Sequence, residues 1–277
     1  MDLLAQFLER DTDRIEESAR TLVLHHGART EHATLLLHGL SASPRQFIAV
    51  ARALHERGHN VFVPRLPRHG YRDRYSRALA TIDSRQLKAC ALDALRITRE
   101  FGGHVHVAGF SLGGLLSCYL AQTEPIHRMV AVSPFLGVVW LPNTLRMAAA
   151  RLVFRLPNRF YWWDPIMRER QQPAHGYPQY STHAIAHGLT LSDEVFELAS
   201  VRPPQAETSA LVINRFEPAV NNRSIRKLGR LWQAHKPGAV EIVTLRGIPV
   251  VHDIIEPKRY PKVAERVAGE IVEMIDR

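Results

Sequence analysis

Gly109-Phe110-Ser111-Leu112-Gly113 is where residue types and spacing in this sequence first suggest chemistry. A serine hydroxyl attacks a carbonyl carbon when a base takes its proton and preorganised donors hold the oxygen that turns negative. The G-x-S-x-G spacing suits a sharp turn from strand to helix, which strains the central backbone and presents the serine side chain outward. Small residues at the outer positions are then needed, because strand and helix approach too closely for a Cβ. The plain alternative is a glycine-rich connection that merely ends a strand, since five-residue motifs recur by chance.

A serine on such a turn is followed along the chain by an acid and then a histidine. His252, in Val250-Val251-His252-Asp253, lies after the last apolar strand and before the closing helix, where a loop can reach across to the serine. The chain holds 15 histidines, so position rather than residue type selects this one. Between Thr208 and Val240 the sole carboxylate is Glu217, the expected acid that orients the imidazole and stabilises the imidazolium. Asp253 competes with it, but a residue adjacent to His252 is poorly placed to bond its neighbour's ring. A surface charge is the other reading of Glu217. Upstream, Leu35-Leu36-Leu37-His38-Gly39-Leu40 reads as a buried strand ending in a turn. The backbone N–H groups of Leu40 and of Leu112 are the expected oxyanion donors. His38 is read as an anchor for the turn, not as a base.

The elements that must position these residues alternate between strand and helix, which implies a mostly parallel sheet covered on both faces. Strands are expected at Thr21–His25, Ala33–Leu37, Asn60–Val63, His104–Ala108, Arg128–Val132, Ala210–Ile213 and Val240–Leu245. Helices are expected from Ser43-Pro44 to about His55, at Asp83–Glu100, Gly114–Gln122, Asn222–Ala234 and from Pro257 onward, with Pro44 at a first helical position. A short amphipathic helix at the N-terminus would place Leu3, Leu4, Phe7 and Leu8 on one side. After Ser133-Pro134 the alternation stops. Residues from about Gly137 to Val201 are Pro- and aromatic-rich, with helical stretches at Leu145–Phe154 and Asp193–Ala199, and read as an insertion above the sheet. Its Trp140, Leu141, Phe154, Tyr161, Trp162 and Trp163 are expected to line an apolar pocket or to form the insertion's own core.

Composition narrows the class. The 277 residues, 45% hydrophobic and 23% charged, suit a globular enzyme of one large domain or two small ones. No apolar run reaches the roughly 18 residues of a membrane span, and the N-terminus lacks the apolar core of a secretory signal. Two cysteines, Cys90 and Cys118, make no disulfide framework and read as packing residues, so a cytoplasmic location is expected. The net charge of +9 raises nucleic-acid binding, but the arginines are scattered and no recognised nucleic-acid motif accompanies them. No nucleic-acid partner is expected. The histidines form no HExxH or Cys/His cluster, so no metal is implied.

Taken together, His38-Gly39-Leu40-Ser41-Ala42-Ser43-Pro44, Pro67-Arg68-His69-Gly70, Gly109 to Gly114, Asn214-Arg215-Phe216-Glu217-Pro218-Ala219-Val220 and Val251-His252-Asp253 resemble the α/β-hydrolase superfamily. Within it the chain is most similar to the monoacylglycerol lipase, carboxylesterase and serine-aminopeptidase-like group. The resemblance implies an α/β-hydrolase fold, with residues 1–136 and 206–277 as the core and 137–205 as a helical lid. It also implies Ser111 as nucleophile, Glu217 as acid, His252 as base, Leu40 and Leu112 as oxyanion donors, and no cofactor. Two residues depart from the group's pattern: Arg68 stands where glycine is usual, and Glu217 where aspartate is usual. The expected function is hydrolysis of carboxylic esters of a small, partly apolar acyl substrate through an acyl-enzyme. A thioesterase, an amidase or a C–C bond hydrolase on the same triad is the alternative, and a catalytically silent binding protein of the same fold is the non-enzymatic one.

Overall fold

The computed structural model describes residues 3–166, 168, 175–256 and 260–277. Its centre is a seven-stranded sheet in the order β1-β3-β2-β4-β5-β8-β9. The first strands are β1 (Leu22–Leu24), β2 (Thr30–Leu37), β3 (Asn60–Val63), β4 (Gly102–Phe110) and β5 (Arg128–Val132). Two short strands, β6 (Phe160–Trp162) and β7 (Gln179–Ser181), pair with each other outside it, and β8 (Thr208–Asn214) and β9 (Val240–Leu245) complete it. Only β1 runs antiparallel to its neighbour; every other pairing in the main sheet is parallel.

The helices are α1 (Leu3–Leu8), α2 (Ile48–Glu56), α3 (Ser84–Phe101), α4 (Leu112–Thr123), α5 (Arg146–Arg155), α6 (Thr182–Val201), α7 (Asn222–His235) and α8 (Pro261–Ile275); α2, α3, α4, α7 and α8 cover the two faces of the sheet, while α5 and α6 pack on each other and α6 on α4. Strand residues alternate between the two layers, as the period of two requires. Leu36, Ala108, Val130 and Val212 pack toward Val50 and Leu54 of α2 and Val267 and Ile271 of α8. Leu35, Val107, Met129 and Leu211 face the larger core, with Leu95 of α3, Leu116 of α4 and Trp232 of α7. Parallel strands buried on both faces read as continuous apolar runs. That is why β2, β3, β5 and β8 stand out in the sequence.

Differences lie at edges and in the middle section. The helix expected from Ser43 opens as a 3-10 turn, Pro44–Phe47, before α2 begins. Residues 257–259, from which the closing helix was expected, lie outside the described residues, and α8 begins at Pro261. In α1 Phe7 is buried but Leu8 is exposed, so those four apolar residues do not share one environment. The helix expected at Asp193–Ala199 is the C-terminal part of α6, a 20-residue helix capped by Ser181, whose side chain accepts from Ala184 N at 3.2 Å. Its first half holds Gly188, where the ring of Phe135 packs so closely that a Cβ would lie 2.6 Å away. A glycine chosen for close packing hides a helix from propensity.

Candidate active site

Ser111 sits between β4 and α4 at φ 53° and ψ −111°, the left-handed strain that a sharp strand-to-helix elbow imposes on a non-glycine residue. Its N–H donates to Val132 O at 3.0 Å, and its carbonyl accepts from Leu115 N and Phe135 N, each at 2.9 Å. The close approach behind the two glycines is severe. A Cβ on Gly109 would lie 2.2 Å from Gly113 O, and one on Gly113 would lie 1.8 Å from Leu37 O. The spacing of the motif is thus the footprint of β2, β4 and α4 meeting without side chains between them.

The elbow meets two loops from the C-terminal ends of later strands. His252, after β9, places Nε2 2.9 Å from Ser111 Oγ, and its Nδ1 lies 2.8 Å from Oε1 of Glu217, on the loop after β8. The same Oε1 accepts from Ala219 N at 2.9 Å and Val220 N at 3.3 Å, while Oε2 is buried without a partner among the described residues. Burial pushes both groups toward their neutral forms, but their mutual attraction prevails: Glu217 is held below its ordinary range and His252 above its own. Asp253 turns away. Its Oδ2 accepts from Gln46 Nε2 at 2.8 Å and its Oδ1 from Glu256 N at 3.2 Å, and burial raises its pKa. Of the two candidate acids, the structure brings Glu217, not Asp253, to the ring.

Leu40 and Leu112 flank Ser111 in the wall of one cavity, and neither amide N–H donates to a protein acceptor among the described residues. The α4 N-terminus adds its positive end at the serine. His38 is fully buried; its Nε2 accepts from Leu66 N at 3.1 Å and its Nδ1 donates to Gly39 O at 3.0 Å, which pins the strand end. Burial and the nearby His69 drive its pKa well below the ordinary value, so it stays neutral. Arg68 adopts φ 67°, a conformation that favours glycine, which accounts for the glycine usual at this position in the group the chain resembles.

The cavity has a volume of about 390 Å³ and is mostly apolar. Trp140, Leu141, Tyr161 and Trp163 line it, as the sequence suggests. Trp162 and Phe154 do not: Trp162 packs edge-on to Tyr75, and Phe154 packs on His183 and His187. The rest of the wall includes Ala149 and Val153 of α5, Ile185 and Leu189 of α6, Tyr180 of β7, Phe135, and the loop residues Val138 and Pro218. Sequence reasoning missed two buried amides that tie the loops together. Gln46 joins Gly39 N, at 2.9 Å, to Asp253, and Asn214 donates from Nδ2 to Val251 O at 2.9 Å while its Oδ1 accepts from Phe216 N. Their one signal is polarity at a strand end or among apolar neighbours. Among the described residues no group of three or more His, Cys, Asp or Glu is arranged to hold a metal ion.

Comparison with solved structures finds the same architecture at low identity. A chain from the structural work on the metagenome-derived lipolytic enzymes LipS and LipT gives a TM-score of 0.67 at 17% identity, over 94% of this chain and 99% of that one. A soluble variant of monoglyceride lipase from Saccharomyces cerevisiae, bound to a substrate analog, gives 0.69 at 14%, over 92% and 91%. Monoacylglycerol lipase from Paleococcus ferrophilus gives 0.66 at 17%, over 92% and 99%. At such identities the likeness speaks for the fold. No curated protein matches the chain by sequence. The model of the alpha/beta hydrolase family, however, matches residues 34–247, more than half of the chain, and with the strand order and elbow described above this protein belongs to that family.

Proposed function

We propose that this protein is a serine hydrolase that cleaves carboxylic esters through a Ser111-His252-Glu217 triad. The observation that carries this reading is the unbroken chain of contacts from Ser111 Oγ through both ring nitrogens of His252 to Glu217. His252 takes the proton of Ser111 as Oγ attacks the ester carbonyl, and the oxyanion is held by the N–H groups of Leu40 and Leu112. The imidazolium, stabilised by Glu217, then protonates the departing alcohol. Water, deprotonated by the same ring, releases the acid and restores the serine.

The apolar cavity beside Ser111 supports an acyl group of hydrocarbon character as the part that is bound. Residues 137–205 act in this reading as a cap, since α5 and α6 supply much of the wall. A cytoplasmic site of action is proposed with it, consistent with two buried, unpaired cysteines. The test is a fluorophosphonate probe together with a panel of short and long p-nitrophenyl esters, acyl-CoA thioesters and anilides. Wild type is expected to be labelled and to hydrolyse the esters fastest, while Ser111→Ala is neither labelled nor active. Equal labelling of both proteins would overturn the nucleophile, and preference for thioesters or anilides would overturn the ester assignment.

A further inference from the structure

The turn that carries Leu40 is held from outside itself. Within Gly39–Ser43 the internal backbone bond is Ala42 N to Gly39 O at 3.2 Å, and Ser41 adopts φ 65°, which a non-glycine residue keeps only under constraint. The constraint comes from the segment between β5 and β8. Trp163 donates from its indole Nε1 to Ser41 Oγ at 2.7 Å, and Tyr177 donates its backbone N–H to Ser41 O at 2.7 Å. His175 Nδ1 lies 2.9 Å from Ser43 Oγ. Tyr177 is itself fixed, its hydroxyl accepting from Tyr71 N at 3.0 Å and donating to Arg68 O at 3.1 Å. Trp163 is different, because its ring also forms part of the wall of the apolar cavity. One side chain therefore touches both the space for the acyl chain and the residue next to the oxyanion donor.

We propose that Trp163 is a positioning residue that couples acyl-chain occupancy to the oxyanion hole, by fixing Ser41 and through it the orientation of the Leu40 N–H. The proposal rests on the acyl-transfer reading above. A chain long enough to pack against the indole restrains the ring, the ring restrains Ser41, and the donor is preorganised when the carbonyl is attacked. A short chain leaves the ring free to move and the donor less well aimed. Chain-length preference then appears in kcat as well as in KM, which a pocket that only binds the chain would not produce.

The test compares wild type, Trp163→Phe, Ser41→Ala and the double variant on p-nitrophenyl acetate and octanoate, with fluorophosphonate labelling of Ser111 measured alongside. Trp163→Phe keeps an aromatic wall and removes the N–H. On octanoate its kcat is expected to fall about tenfold, a fraction of the loss that follows removal of a whole oxyanion donor, with KM within twofold. Acetate should be affected less, so that the wild-type rise in kcat with chain length disappears. Ser41→Ala should give the same loss, and the double variant no more than either single one. Inhibition by octylboronic acid, which forms a tetrahedral adduct, should weaken in parallel, while inhibition by planar octanoate should not. Unchanged kcat in both single variants, an effect confined to KM, or losses that multiply in the double variant would each overturn the coupling. Should Trp163→Phe fail to fold, Ser41→Ala carries the same prediction alone. A wild type that is neither labelled nor active overturns the hydrolase reading and the coupling with it; an active, labelled wild type with unaffected variants overturns the coupling alone.

Discussion

Glu217 does two things through one oxygen: Oε1 meets the His252 ring and also accepts the N–H groups of Ala219 and Val220, which fix the loop. The extra methylene of glutamate is accommodated because the loop folds around the carboxylate. Because this charge holds the His252 pKa above its ordinary value, the acid limb of kcat/KM is expected above the pH of a free imidazole. Glu217→Gln removes the cause of the rise and leaves burial, which lowers the ring's pKa. The acid limb should then move to lower pH, while the plateau falls by roughly 10³ to 10⁴. A pH–rate profile checks both, and an acid limb that stays in place would mean Glu217 is not the partner. Asp253→Asn, whose amide oxygen can still accept from Gln46, is expected to stay within a few-fold of wild type in the same assay.

Interlocking of elements makes the elbow intolerant of a single carbon. Gly113→Ala would drive a methyl group into the backbone carbonyl of Leu37, with neither β2 nor α4 free to retreat from the packed core. A loss above about 4 kcal/mol, or failure to fold, is expected from urea unfolding. Gly269, exposed on α8 with nothing near its missing Cβ, is the contrast: Gly269→Ala should gain up to about 1 kcal/mol. On α5, Ala149→Phe should fill the cavity and depress hydrolysis of octanoate far more than of acetate. Much of this scale is legible in sequence. β3, β5 and β9 fall where their apolar runs place them, and the elbow is announced by its glycines. The wall of the cavity is not, because Val153, Ile185 and Leu189 look like ordinary core positions of amphipathic helices until the helices are laid over Ser111. Nor are Gln46 and Asn214, since a side chain that bridges two distant loops leaves no periodic trace.

Across the whole molecule, among the described residues, His38, His59, His69 and His106 are buried away from the Ser111–His252 contact. Burial lowers His38 well below its ordinary pKa, His69 to about 4 and His106 to about 3, with neighbouring histidines adding to the effect at His106. Each pKa is lower in the folded state, so the unfolded chain binds more protons once the pH drops below the ordinary histidine value. Stability is therefore full above about pH 6.5 and is lost as pH falls toward those lower values, by up to about 1.4 kcal/mol per pH unit for each ring. His106→Gln should flatten the dependence of the urea midpoint on pH between 7 and 5, and an unchanged slope would remove that ring from the account. The same long-range architecture has a consequence during biosynthesis. Ser111 and His252 are 141 residues apart, and Glu217 lies between them. A ribosome that has made the elbow has made a serine without its proposed base, chemically as quiet as any other hydroxyl. On the proposed triad, reactivity is expected only after residue 252 has emerged and β9 has joined the sheet. In that proposal a truncated or half-synthesised chain carries the motif without an activated serine, and probe labelling during translation becomes a clock for completion of the fold.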